Sequence, residues 1–244
     1  ANATMERFRS LILCIILVAF ATANYAQPIR KRQPTVRKTV THKNYYALAI
    51  KAIKANNLAE LDANIKHIGN IDSLIAADNY HAYTLLGYAL LYKNKTATQK
   101  LIERKADIGC VCSDDVFMYD ALYMAINNAD MNLVKQLLAL GTDPNQPYNE
   151  DGLCPLMMCC DLNNVPMASL LLESGAKADG VGNLGGDNVS FPLIVAVEKK
   201  NTNMVQLLLK HGAKRNVKNN TGQTPISIAR SQKLAKIVKM LEKR

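Results

Sequence analysis

Six cysteines, four histidines and one glycine-rich string are the residues of this 244-residue chain whose types could carry chemistry. A thiol nucleophile needs a neighbouring base, and a structural zinc needs four ligands at suitable spacing. Cys14 lies in an apolar stretch, which leaves Cys110, Cys112, Cys154, Cys159 and Cys160 downstream, while His42, His67, His81 and His211 are scattered. Neither a Cys-His pair nor a metal centre is expected, no Ser-His-Asp or paired-carboxylate set can be assembled, and no cofactor is implied. In an oxidising compartment Cys110 or Cys112 could form a disulfide with Cys154, the connectivity being open. Gly180-Val181-Gly182-Asn183-Leu184-Gly185 matches the dinucleotide-binding pattern, which works only between a strand and a helix N-terminus. No such context surrounds it, so it reads as a lengthened loop.

Charge narrows the partner class. The net +10 divides into +9 over residues 1–59, −8 over residues 60–209 and +9 over residues 210–244. A duplex binder needs positive charge along the surface that follows the phosphates. An acidic body with basic ends argues against nucleic acid.

At the N-terminus, Glu6-Arg7-Phe8-Arg9 precedes an apolar stretch from Leu11 to Ala23, the layout of a secretory signal peptide. That stretch is short for a membrane span, which takes roughly 20 residues. Ala21-Thr22-Ala23 offers a small-x-small cleavage site and Ala26 a competing one. The expected division is a signal peptide over 1–26, with residues 1–4 preceding Met5, a basic linker over 27–44 and a folded domain over 45–244. Export to the periplasm or outside the cell follows from it. Against this, Arg30, Lys31, Arg32, Arg37, Lys38 and Lys43 follow the apolar stretch without an acid, and positive charge resists translocation. An uncleaved, membrane-tethered accessory or structural protein is the alternative, and membrane contact is expected only in that case.

The folded part is built from repeats. Thr224-Pro225-Ile226 precedes Ile228-Ala229 and, after a break, Ile237-Val238 and Leu241. The same skeleton starts at Phe191, with Ala196-Val197, Leu208-Leu209 and Gly212-Ala213, and again at Cys154, Asp120 and Thr84. A degraded unit starts near Ala47 and needs a one-residue shift. Start-to-start spacings are 37, 36, 34, 37 and 33. The pattern resembles the ankyrin repeat, whose period is about 33. The resemblance implies an all-α solenoid of stacked helix-turn-helix units with finger loops, monomeric and non-enzymatic. Ala89, Ala125, Cys159, Ala196 and Ala229 fall where first helices approach most closely, so a large side chain there would prise repeats apart. The family's histidine is replaced by Gly87, Tyr123, Met157, Ile194 and Ser227, which removes polar ties and predicts lower stability than in consensus arrays. The break between helices is Lys93-Asn94, Ala129-Asp130, Asn163-Asn164 and Lys200-Asn201, with Asn expected to take the left-handed backbone.

In ankyrin-like domains the partner lies on the concave side, against the fingers and the ends of the first helices. The resemblance carries this onto Tyr83, Leu91, Tyr92, Phe117, Tyr119, Leu153 and Leu162, an aromatic-rich set of the kind that marks interface hot spots. Asp114, Asp115, Asp130, Glu150, Asp151 and Asp161 would rim it, favouring a basic protein partner. The basic block Lys210–Arg244 reads as the solvated face of a capping repeat.

Overall fold

Seven-residue helices are too short to persist alone in water, so each must be started, stopped and buried by its surroundings. The computed structural model describes residues 44–243 apart from 115, 183 and 187–189. The expected signal peptide and most of the expected linker, with Cys14, lie outside the described residues. Contacts gather the described chain into two compact units, 44–137 and 138–243.

The first unit holds α1 (Tyr45–Lys54), α2 (Leu58–Ile65), strands β1 (Ile75–Ala76) and β2 (Ala82–Tyr83), α3 (Leu85–Leu91), α4 (Lys95–Glu103), strands β3 (Cys112–Ser113) and β4 (Met118–Tyr119), α5 (Ala121–Asn127) and most of α6 (Met131–Ala139). First helices pack on first helices, α1 on α3 and α3 on α5, while α2 packs on α4. The two hairpins join into one antiparallel sheet in the order β1-β2-β3-β4, with Tyr83 opposite Cys112. The second unit holds α7 (Pro155–Asp161), α8 (Val165–Glu173), α9 (Pro192–Glu198), α10 (Thr202–Lys210), α11 (Pro225–Ser231) and α12 (Ala235–Glu242). There α7, α9 and α11 stack in sequence, as do α8, α10 and α12.

The expected repeat starts Thr84, Asp120, Cys154, Phe191 and Thr224 are the N-cap residues of α3, α5, α7, α9 and α11. Thr84, Asp120 and Thr224 accept the amide of the third helical residue, the stabilising N-cap geometry. Cys154 and Phe191 make no side-chain cap, and a proline at the first helical position takes over by presetting φ. The small residues Ala89, Ala125, Cys159, Ala196 and Ala229 are fully buried. In the degraded unit the Ala47 register holds, since Ala52 is buried as Ala89 is. Its helix begins a turn earlier, however, capped by Asn44. The one-residue shift also has a cause: the slot filled elsewhere by Leu101 and Leu137 holds a buried Asn64, whose amide donates to the Glu60 carbonyl at 2.7 Å.

Two expectations about polar groups are corrected. The left-handed residue of each break is the first of the pair: Lys93, Ala129, Asn163 and Lys200, with Asn56 and Lys233 in the outer repeats, have φ between 53° and 57°. The second residue, Asn94, Asp130, Asn164 or Asn201, caps the following helix instead. The ties lost with histidine are also replaced. Asn94 donates to the Ile53 carbonyl and Asn128 to the Leu90 carbonyl, each at 2.7 Å. Asp72, Asn145 and Asp179 accept the amides of Asp107, Lys177 and Lys214, one repeat onward.

Candidate partner-binding surface

In the first unit both hairpin tips are built by the same device. Asp78 Oδ1 accepts the amides of Tyr80 and His81, each at 2.8 Å, and its carboxylate also meets His81 Nδ1 at 3.0 Å. Asp114 Oδ1 accepts the amides of Val116 and Phe117 at 2.8 and 2.6 Å. Such Asp-closed turns fix the backbone locally. The residue two places on is thrown outward: Tyr80 is 65% exposed and Val116 is 45% exposed. The Tyr80 amide, with lesser help from His81, holds the Asp78 carboxyl below the usual range, so it stays ionised at neutral pH.

Behind the tips lies an aromatic row. Tyr88, buried on α3, donates to the carbonyls of Ile75 and Ala76, tying the first hairpin to the helix. Its ring lies 5.4 Å from that of Tyr83 and 6.1 Å from that of Tyr92. Lys54 Nζ sits 4.9 Å from the centre of the Tyr92 ring, within cation–π range. Tyr119 packs against Tyr123 at 4.4 Å and Phe117 at 6.5 Å.

Leu91 and Tyr92 are 39% and 38% exposed at the end of α3, and Tyr83 is half-buried. Phe117 and Tyr119 leave the expected surface: both are only 6% exposed. The Asp114 turn folds them under the tip, where the Tyr119 hydroxyl donates to Asp114 Oδ2 at 2.8 Å. In the second unit, Leu162 is 47% exposed at the end of α7. Leu153 is half-buried in a turn, its amide bonded to Asn149 Oδ1 at 2.7 Å. Asp115 lies outside the described residues. Of the other rim acids, Asp130 pairs with Lys95 at 3.1 Å and Asp161 with Lys199 at 2.7 Å. Tyr80 and Val116 were not expected from sequence; the signal was an aspartate two residues before an apolar side chain, recurring 36 positions apart.

Three of the cysteines, Cys154, Cys159 and Cys160, are held where the thiolate is disfavoured. All three are buried thiols, while Cys112 is buried in β3 and Cys110 is half-buried beside it. Burial raises the Cys154 thiol pKa, against weaker opposing contacts from the amides of Met157, Val181 and Leu156. Burial likewise pushes Cys159 up to about 12 and Cys160 well above its ordinary value. Since the thiolate is the reactive form, alkylation of Cys154, Cys159 and Cys160 by iodoacetamide at about pH 8 is expected to be at least about 100-fold slower in the native than in the unfolded protein. Peptide mass spectrometry checks this, and labelling of the native protein at the unfolded rate would reopen a thiol mechanism. The glycine string is a loop after α8, with Gly180, Gly182 and Gly185 at positive φ. It docks on the preceding turn, where the Leu184 and Gly186 amides donate to the Glu150 carbonyl at 3.0 and 3.1 Å.

A family model described as ankyrin repeats in three copies matches residues 86–181, 117–218 and 180–244. The chain belongs to the ankyrin-repeat family. An ankyrin repeat protein of Acanthamoeba polyphaga mimivirus is 30% identical over 116 residues, which is 48% of this chain and 14% of that much longer relative. Among solved structures, an ankyrin repeat domain from Acinetobacter baumannii is 24% identical with a TM-score of 0.65, over 79% of this chain and 95% of that one. The ankyrin repeat domain of Bcl-3, an IkappaB-family member, is 25% identical with a TM-score of 0.64, over 80% and 84%. A chain from the complex of a Bdellovibrio bacteriovorus predatory endopeptidase with an immunity protein is 19% identical with a TM-score of 0.62, over 81% and 97%. The fold is an all-α ankyrin-repeat solenoid, and ankyrin repeats are protein-interaction modules.

Proposed function

We propose that this ankyrin-repeat chain is an exported, non-enzymatic module whose concave face, made by finger tips and first-helix ends, holds a basic protein partner. The observation that carries the reading is the first unit's coincidence of outward apolar side chains with a local excess of acids, Lys54 beside the Tyr92 ring and Lys95 on Asp130 being among the cations near them. Tyr80, Leu91, Tyr92 and Val116 are exposed there. The segments 67–92 and 106–134 that bear them contain seven aspartates and no Lys or Arg. Backbone amides, with no Lys or Arg beside them among the described ion pairs, close the turns on Asp78 and Asp114, an arrangement that favours a cationic surface with an apolar centre. Export is supported by the signal-like sequence from Arg7 to Ala26.

The test is affinity capture from the source cells with wild type, a Leu91→Asp/Tyr92→Ala variant and a Leu140→Asp control, Leu140 being exposed outside the hairpins and first helices. A protein held by wild type and control, and released from the double variant at unchanged melting temperature, is the expected result. Equal retention by all three would sink the assignment of the face.

The tethered accessory reading rests on the six bases from Arg30 to Lys43. Among the described residues no helix is long and apolar enough to cross a membrane. Intact mass and N-terminal sequence from fractionated cells separate the readings: a start at Asn24 or Gln27 in a soluble exported fraction supports export, and an uncut N-terminus in the membrane fraction supports the tether.

A further inference from the structure

The second unit ends in a surface unlike the acidic hairpins. From Lys199 to Lys243 the chain contains eleven Lys or Arg and a single acid, Glu242. Three of these bases are paired, Lys199 with Asp161, Lys214 with Asp179 and Arg230 with Glu242. The other eight of the eleven are exposed and make no ion pair among the described residues. They are densest on the last helix. Helix α12 buries Ile237 and Leu241, which leaves Lys236, Lys239 and, just past its end, Lys243 at spacings of three and four, on one face. Lys233 stands immediately before that helix, exposed in the left-handed backbone.

A face that only kept the terminal repeat soluble would serve with interspersed charges of both signs; here Lys233, Lys236, Lys239 and Lys243 stand beside one acid, Glu242, which is paired with Arg230. Its chemistry also discriminates among anionic partners. Seven of the eight unpaired bases are lysines, hydrated point charges without the planar fork that reads phosphate bidentately. Residues 192–244 contain no Phe, Tyr or Trp, and their one imidazole, His211, lies outside the last helix, so the Lys233–Lys243 face carries no ring on which a nucleobase could stack. Within the same unit, residues 138–176 contain five acids and no Lys or Arg, so a polyanion following those repeats would meet negative charge. An extended plane of diffuse negative charge needs only one basic end, and lysines near such a plane are attracted without directional bonds. We propose that the C-terminal repeat docks on an anionic lipid bilayer through the Lys233–Lys243 face, independently of the partner surface on the hairpins.

Vesicle flotation of the full chain tests this, with phosphatidylcholine alone and with about 30% phosphatidylglycerol as probes. Reversal of Lys236, Lys239 and Lys243 to Glu is compared with reversal of the exposed Lys51, Lys66 and Lys105, an equal change in net charge. Residues before 44 are common to all these proteins and cancel in the comparison. The C-terminal reversal is expected to lower partitioning onto anionic vesicles at least about tenfold, the control less than about twofold, and about 0.5 M salt to abolish the difference. A benzophenone side chain at the exposed Gln232 is expected to crosslink lipid in anionic vesicles and not in neutral ones. Equal losses in the two variants, no preference of wild type for anionic vesicles, absence of crosslinking, or tight binding to a short DNA duplex with vesicle binding indifferent to the C-terminal reversal would each overturn the proposal.

Discussion

Replacing Gly87 with alanine is expected to destabilise the protein by about 3 kcal/mol, which for a domain of this size lowers Tm by roughly 10 °C. The sign is a contest. Alanine favours a helix over glycine by about 1 kcal/mol, and Gly87 lies inside α3, where that gain would be collected. Packing decides the other way. A Cβ at this position would overlap the Val111 carbonyl oxygen, with the carbonyl carbon at 3.0 Å and Tyr83 Cβ at 3.1 Å. Val111 is not able to retreat cheaply. Its amide donates to the Tyr119 carbonyl at 2.8 Å, and its oxygen accepts the Thr84 amide at 2.9 Å. Thr84 is also the cap of α3, so moving Val111 strains the cap and the second hairpin together. Gly69→Ala is the control, because nothing lies near a Cβ there, and its effect is expected to stay within about 0.5 kcal/mol. Chemical denaturation of the two variants checks the difference. Equal stabilities would mean that the close approach of α3 to Val111 does not exist.

The same contact bears on function. The family places a histidine where this chain has Gly87, and no side chain fits there without displacing the hairpin. The second hairpin is therefore seated on α3 by backbone contact, and the Asp114 turn then sets how Val116 projects. Partner binding is expected to weaken in Gly87→Ala along with stability, whereas Leu91→Asp/Tyr92→Ala separates the two.

The repeat starts were legible because each one couples a cap residue to a buried small residue at a fixed offset, a pattern that survives substitution of every individual letter. Thr84 with Ala89 and Phe191 with Ala196 show this, although Phe191 cannot cap by hydrogen bonding. Surface residues at helix ends were legible for the same reason: Leu91, Tyr92 and Leu162 sit at offsets fixed by the helix. The hairpins were not. Which way Phe117 or Tyr119 points depends on a turn closed by the Asp114 side chain, a tertiary choice that composition does not disclose, and the same turn makes Val116 prominent. The inference of weakened stability from missing histidines was incomplete for a related reason. It counted one kind of tie, whereas Asn94, Asn128, Asp72, Asn145 and Asp179 supply others from positions that read as ordinary polar loop residues.

One source of instability remains, and removing it is the second large effect. Lys93, Ala129, Lys200 and Lys233 hold the left-handed break with φ near 55°, and Lys105 holds φ 61° one residue before the buried Ala106. Gly141, Gly175 and Gly212 occupy the slot equivalent to Lys105 in later repeats, at φ of 90°, 96° and 86°. An L side chain in this backbone costs roughly 1–2 kcal/mol, while glycine gives back somewhat less than 1 kcal/mol through its freer unfolded chain. The net gain is about 0.5–1 kcal/mol at each position. Sites without shared partners add nearly independently, so the five glycine substitutions together are expected to stabilise by about 3–4 kcal/mol and raise Tm by about 10 °C. The control is Lys51→Gly, an exposed lysine within α1, where glycine is expected to cost about 1 kcal/mol. Opposite signs for the same Lys→Gly exchange at Lys93 and Lys51 would locate the effect in the backbone rather than in lost charge. Destabilisation at both would show that the left-handed lysines are held by contacts worth more than their strain.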